Sequence, residues 1–234
     1  MYEERTYRYF SKTLFSCELE YNESDILVCS DKKIDKKLIY GYLKEAYSEI
    51  KRYCDLDPEF QAALSPIKLK KQASDLCKQM AYAGELAEVG PFAAVAGAVA
   101  KSVGERLADY ANELIIENGG DIFFKIIKDR EVGVFAGDDF SCKIKIRARD
   151  YSFGIASSSA LFGHSLSFGA ARMVTVIGRD VIVADAFATA LTNNIKKKED
   201  INMVIEKAKA NKHIEGLLVF FDKELYIWGD VELV

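Results

Sequence analysis

Between residues 113 and 178 the chain is a succession of short apolar runs: "ELIIE", "DIFFKIIK", "EVGVFAG", "CKIKIRARD", "FGIAS" and "RMVTVIG". Runs this short, rich in Ile, Val and Phe and bounded by Gly, Asp, Asn and Ser, read as β-strands. The first thirty residues repeat the pattern in "RTYRYF", "TLFSCELEY" and "DILVCS", alternating with the period of half-buried strands. Two more strands, "GLLVFF" and "ELYIW", close the chain around Asp222-Lys223.

The period changes elsewhere. In "IDKKLIYGYLKEAYSEIKRYC", Ile34, Leu38, Tyr42, Ala46 and Ile50 recur every four residues among lysines and glutamates, which predicts an amphipathic helix. A second helix is expected through "IKLKKQASDLCKQMAYAGELAEVG", after Pro66 and ending near Gly90. "PFAAVAGAVAKSVGERLADYA", residues 91–111, opens on Pro91, which suits a first helical turn. Its small residues let backbones approach closely, so this helix is either deeply buried or lies against something flat. "DVIVADAFATALTNNI" is a second small-residue helix, and "KEDINMVIEKAKANK" a charged one.

With only three prolines and no Gly/Ser/Pro-rich linker, residues 1–234 are expected to form a single α/β domain, α+β in character, with a mostly antiparallel sheet and segregated packed helices. The net charge of −4 lacks the basic excess of a nucleic-acid protein. No apolar run reaches the ~18 residues of a membrane span, and the charged start "MYEERTYRYFSK" is unlike a signal peptide. A cytoplasmic protein without nucleic-acid or membrane partners is the expectation. The five scattered cysteines, with no C-x-x-C pair, read as reduced thiols in or near the core. "GLLVFF" could serve as an edge strand that pairs two chains.

Four segments set reactive groups among very small side chains. In "ELIIENGGDIFFKI", Asn118-Gly119 would suffice for a hairpin turn. The second glycine, Gly120, and Asp121 then read either as a longer turn or as backbone laid against a ligand with an acid aimed at it. "GAVAK" offers Lys101 beside a tight backbone. In "ADAFAT", Asp185 and Thr189 are four apart, so on a helix both present oxygen from one face, as a hard cation such as Mg²⁺ prefers. The alternative there is an Asp that merely satisfies a neighbouring backbone amide. In "GIASSSALFGHSLSFG", Ser157, Ser158, Ser159, His164 and Ser165 lack a G-x-S-x-G elbow and suit an anion- or flavin-contacting loop better than a hydrolase; a polar turn is the alternative. His213, in a lysine-rich helix end, reads as solvated surface.

Taken together, "GAVAK", "ENGGDIF" and "ADAFATAL" resemble, in order and spacing, the G-A-I-A-K-G, G-G-D-I and D-A-x-x-T-A-L motifs of the ApbE flavin transferases. With "RTYR", "ESDILV" and "GHSLSFGAA" added, nearly the whole chain looks like the ApbE-like branch found in many archaea and bacteria. The resemblance implies an ApbE/T-fold-type α/β unit. It implies Mg²⁺ and FAD as cofactors, with Asp185, Thr189 and the Ala98 carbonyl as metal ligands. Lys101 would lie near the phosphates, and Asn118, Gly119 and Gly120 near the flavin nucleotide with Ser157, Ser158 and Ser159. Asp121 and His164 join Lys101 as candidate catalytic residues. The chain departs from the family pattern at Ser102, where the family has Gly after the lysine, and at "GHSLSFGAA", which replaces H-I-I-D-P-x-T-G.

The activity implied is transfer of FMN from FAD to a Ser or Thr of an acceptor protein, or cleavage of the FAD pyrophosphate. The alternative is a non-catalytic flavin- or nucleotide-binding protein. Some methanogen members of the branch connect it to sulfur assimilation toward homocysteine, which the scattered cysteines do not independently support. A homo-oligomer stays open.

Overall fold

A computed structural model describes residues 14–136, 140–159 and 171–234 of the chain. Strands β1 (Phe15–Tyr21) and β2 (Ser24–Ser30) form a hairpin. Helices α1 (Lys36–Leu56), α2 (Glu59–Ala62) and α3 (Asp75–Ala87) follow, then a 3₁₀ turn at Pro91–Ala94 that runs into α4 (Val95–Leu107). The strands β3 (Leu114–Asn118), β4 (Asp121–Lys125), β5 (Arg130–Phe135), β6 (Ser141–Ile146), β7 (Phe153–Ser158) and β8 (Met173–Gly178) come next. Helices α5 (Val181–Asn194) and α6 (Asp200–Lys209) precede β9 (Ile214–Phe221), β10 (Glu224–Gly229) and β11 (Glu232–Leu233).

Eight strands form one sheet in the order β1-β2-β3-β4-β7-β8-β9-β10, and β11-β6-β5 form a second; every pairing is antiparallel. The large sheet is covered on both faces, which is why its inner strands read as apolar runs instead of alternating. One face meets the helices through Ile26, Val28, Leu114, Ile116, Phe123, Ala156, Val174 and Val176. The other meets the small sheet through Leu27, Cys29, Ile115, Phe124, Phe153 and Ile155, which pack on Val132, Val134, Ile144 and Ile146.

Helix α5 is buried at twelve of its fourteen positions, from Val181 to Thr192. A helix apolar on every side belongs inside, and α5 lies on β7 and β8 with α3 and α4 against it. The small residues of α4 serve the same end: it is buried among α1, α3, α5, β3 and β4. Gly154 seats α5 on the sheet, since a Cβ there would come within 2.2 Å of Val181 Cβ and 2.5 Å of Val181 Cα. Gly154→Ala is therefore expected to lower the unfolding free energy by about 3 kcal/mol, read from the urea midpoint; a change below about 0.5 kcal/mol would refute this contact.

Several local expectations need correction. The buried face of α1 is Ile39, Leu43, Ala46, Ile50 and Tyr53. A strict spacing of four drifts around a helix of 3.6 residues per turn, so Leu38 and Tyr42 fall at the flank, and Ile34 precedes the helix. Residues 67–73 are not helical; α3 begins only where the Ser74 hydroxyl accepts from the Cys77 amide at 3.3 Å. The short α2 and β11 have no signal long enough to find. "GLLVFF", residues 216–221, belongs to β9, between β8 and β10, so this run is no sheet edge; among the described residues β1 and β10 are. His213 is half-buried with its ring edge-on to Tyr82, because its turn is pinned when Arg179 N donates to the His213 carbonyl at 2.9 Å. The five cysteines are unpaired, and burial pushes the Cys54 thiol up to about 11. Among the described residues no single helix is long and apolar enough to cross a membrane.

Candidate functional site

The β3–β4 hairpin closes on the pair Asn118 and Asp121, leaving Gly119 and Gly120 as its two turn residues, with φ +66° and +107°. A tight turn of this handedness needs positive φ at both central positions, which glycine adopts without strain. The expected Asn118-Gly119 turn is thus one residue out of place. The turn itself explains the second glycine, and Asp121 is the first residue of β4. A Cβ on Gly119 would meet nothing within 4 Å.

Pairing of Ile122 with Ile155 sets Ala156 opposite Asp121 and brings Ser157 and Ser158, the last residues of β7, to the same end of the sheet. Alternation then decides who faces the helices. Phe123 and Ala156 do, so Asp121 and Ser158 do as well. Ser157 points to the other face, where its hydroxyl and that of Thr175 are 2.8 Å apart; only its amide serves Asp121.

Helices α4 and α5 come down over this end. A Cβ on Gly97 would stand 2.7 Å from Val181 O and 3.0 Å from Asp185 Cβ, so glycine is what lets the two helices close up. Gly97 N then donates to Asp185 Oδ2 at 2.9 Å, and Asn118 Nδ2 donates to Ala96 O at 3.1 Å. Asp185 therefore does satisfy backbone amides, those of Gly97 and Ala96, at the start of a helix whose N-cap residue Ala94 has no capping side chain. Thr189 and Thr192 continue its stripe along α5 at the i+4 and i+7 positions. Thr192 Oγ1 donates to Ala188 O at 2.7 Å and to Ser158 O at 3.4 Å.

Two carboxylates are thus buried at one place. Burial pushes Asp185 up to about 7 against the pull of its two amides. Burial likewise pushes Asp121 well above the usual carboxylate range; the charge of Asp185 adds to this, as does Glu117, while the Ser157 amide opposes it. Among the described residues neither acid has an ion-pair partner, and Asp121 Oδ1 is buried with no hydrogen-bond partner. The donors at this point are two carboxylates, hard oxygen, and Thr189 follows Asp185 one turn along α5. Among the described residues no cluster of three or more His, Cys, Asp or Glu gathers that could hold a metal.

Lys101 stands elsewhere. Its ammonium bonds Asp180 Oδ2 at 2.5 Å and Gln79 Oε1 at 2.8 Å, with Glu105 at 3.7 Å. Asp180 caps α5 by accepting from Ile182 N at 2.8 Å, so Lys101 ties α4 to the start of α5. Lys101→Met, which leaves that acid unpaired, is expected to lower the unfolding free energy by about 2 kcal/mol. Unchanged stability in a urea titration would mean the ion pair carries no weight. Ala98 is buried in the first turns of α4, and the carbonyl that reaches the hairpin is that of Ala96. Ser159 Oγ donates to Arg172 O at 2.5 Å. His164 lies outside the described residues.

A family model described as "AbpE bacteria" matches residues 8–216. The chain belongs to this family. Among its relatives is a UPF0280 protein of Methanocaldococcus jannaschii, 35% identical over 94% of this chain and 93% of the relative. Another is a UPF0280 protein of Methanospirillum hungatei, 35% identical over 91% and 86%. Among solved structures, this ApbE-like chain is similar to the flavin transferase ApbE from Vibrio cholerae, with a TM-score of 0.64 at 13% identity, covering 93% of this chain and 97% of that one. The apo flavinyl transferase ApbE of Pseudomonas stutzeri aligns with a TM-score of 0.64 at 12% identity, over 92% and 94%. These likenesses show an ApbE fold, as the motifs implied.

The signal for Thr192 is its i+7 spacing from Asp185 on the same helix face. The roles of Ala96 and Asp180 had no such signal: one acts through its backbone and the other through a cap.

Proposed function

We propose that this chain binds a flavin dinucleotide with a divalent cation, Mg²⁺, at the end of the sheet where Asp121, Asp185 and Thr189 meet, and processes the dinucleotide at its pyrophosphate. The observation that carries this reading is the pair of buried carboxylates without a cationic side chain. Removing one charge from water is costly and two adjacent ones more so, unless a cation joins them. The oxygen donors suit a hard ion, and the orphaned Oδ1 of Asp121 is an acceptor with nothing yet to accept from.

Asp185 and Thr189 would hold the ion from α5, and Asp121 from the hairpin. The ion would supply the positive charge that binds a pyrophosphate and stabilises charge developing in phosphoryl transfer. The chain's own part is to fix those donors: the Gly97 and Ala96 amides hold Asp185, and the Gly119-Gly120 turn sets Asp121. Burial of α5 keeps its stripe from shifting. The names of the flavin transferases of similar fold support flavin as the substrate class, with FMN passed to a Ser or Thr of an acceptor protein or released to water.

A second reading is retention of the ligand without chemistry. It is favoured by Lys101, which the ApbE resemblance would put near the phosphates and which is instead engaged with Asp180 and Gln79. Release of AMP and FMN from FAD, followed by chromatography with and without Mg²⁺, separates the two. Products that depend on the metal support the enzyme; bound FAD that co-elutes intact supports the holder.

A further inference from the structure

Asp121 Oδ1 is not the only orphan at this end of the sheet. Ser158 is 8% exposed, and its hydroxyl is buried with no hydrogen-bond partner among the described residues. The two groups are related by the sheet register: Ala156 lies opposite Asp121, so Ser158 is its diagonal neighbour on the helix-facing side. Diagonal pairs stand about 7–8 Å apart at Cα, within reach of one small bridging group. Ser158 is also fixed against α5, because its carbonyl accepts from Thr192 Oγ1 at 3.4 Å. It therefore lies alongside the stripe that carries Asp185 and Thr189.

A buried hydroxyl left unpaired costs the fold stability and is rare unless something else pairs with it. Its neighbour Ser157 shows the contrast, for that hydroxyl has Thr175 at 2.8 Å on the other face. We propose that Ser158 is a further ligand-contacting residue whose hydroxyl donates to a non-bridging phosphoryl oxygen of a bound pyrophosphate. This rests on the dinucleotide reading above and extends it to a residue of β7. A neutral donor beside a set of hard oxygen ligands is suited to an anionic oxygen that the same cation also attracts. With Asp121 it would form the sheet-side wall of the phosphate subsite, facing the metal-holding stripe of α5.

The test is FAD binding to the full chain at saturating Mg²⁺, followed by flavin fluorescence, in the wild type and Ser158→Ala. Inorganic pyrophosphate serves as the competing probe. The variant is expected to bind FAD and pyrophosphate about tenfold or more weakly, a hydrogen bond to a charged oxygen being lost from both. Without ligand its thermal midpoint should be unchanged or raised, since the hydroxyl has no hydrogen-bond partner among the described residues. Equal FAD affinity in both proteins would overturn the proposal alone, as would a variant destabilised without ligand and unimpaired once folded. Weaker FAD binding with unchanged pyrophosphate competition would overturn the phosphoryl assignment. A wild type that binds neither FAD nor pyrophosphate would overturn the dinucleotide reading as well.

Discussion

In a metal chelator, the protein is expected to lose stability as the pH rises from about 4 to about 8. Asp185 has its carboxyl pushed up to about 7 in the folded state, from an ordinary value of 3.8. A group whose folded-state pKa is raised favours folding while protonated. Its contribution is fully present below the unfolded value and is lost as the pH climbs through the folded one. Over roughly three pH units at 1.36 kcal/mol each, the loss is on the order of 4 kcal/mol. Asp121 is raised in the same direction and for the same leading cause, burial, and so carries the loss further upward. Urea midpoints at pH 5 and pH 8, with a chelator present, measure it. Asp185→Asn, which keeps an oxygen for the Gly97 amide and has no charge, should flatten the profile and be the more stable protein at pH 8. A wild-type profile as flat as the variant's would mean that the two acids are solvated in solution.

The second large effect reverses the first. At pH 8, where Asp185 is forced to ionise, Mg²⁺ is expected to restore stability. At a hundredfold excess over its dissociation constant a ligand of the folded state contributes about 2.7 kcal/mol, which for a chain of this size raises the thermal midpoint by about 5–10 °C. The gain should shrink toward pH 5, where protons compete for the same oxygens. It should vanish in Asp185→Asn and fall in Thr189→Val. Mg²⁺ that stabilises wild type and Asp185→Asn equally would place its binding elsewhere on the surface.

How much of this was legible in the sequence depends on the kind of signal. The strands β3, β4, β7, β8 and β9 and helices α4 and α5 were readable because burial on both sides of a layer leaves apolar runs that local rules capture, and β5 and β6 through their alternation. The face of α1 was misassigned, since a spacing of four matches the true stripe for only two turns before drifting off it; Ile39, Leu43 and Tyr53 were passed over for Ile34, Leu38 and Tyr42. "GLLVFF" could not be placed within the sheet, because strand order is set by long-range pairing that no local pattern encodes.

The site divides in the same way. Asp185 and Thr189 sit one helical turn apart, and their common face follows from period alone. That Asp121 comes near Asp185 is a tertiary fact: it needs α4 to close on α5 at Gly97 and Asn118 to reach Ala96. The serine run shows the limit most plainly. Ser157 and Ser158 are chemically identical in the sequence, yet alternation sends one to Thr175 and leaves the other without a partner among the described residues, diagonal to Asp121. Which of them faces the site depends on a register that only the paired strands define. Lys101 is the converse case: its motif was legible, while its contacts with Asp180 and Gln79 come from the packing of α4 on α3 and α5.

The most direct measurement of the central claim is incubation of the full chain with FAD, with and without Mg²⁺, in the wild type and Asp185→Asn, with AMP and FMN resolved by chromatography. The account predicts AMP and FMN from wild type only when the metal is present, and neither from the variant. Intact FAD, neither cleaved nor retained by the wild type at any Mg²⁺ concentration, would contradict it.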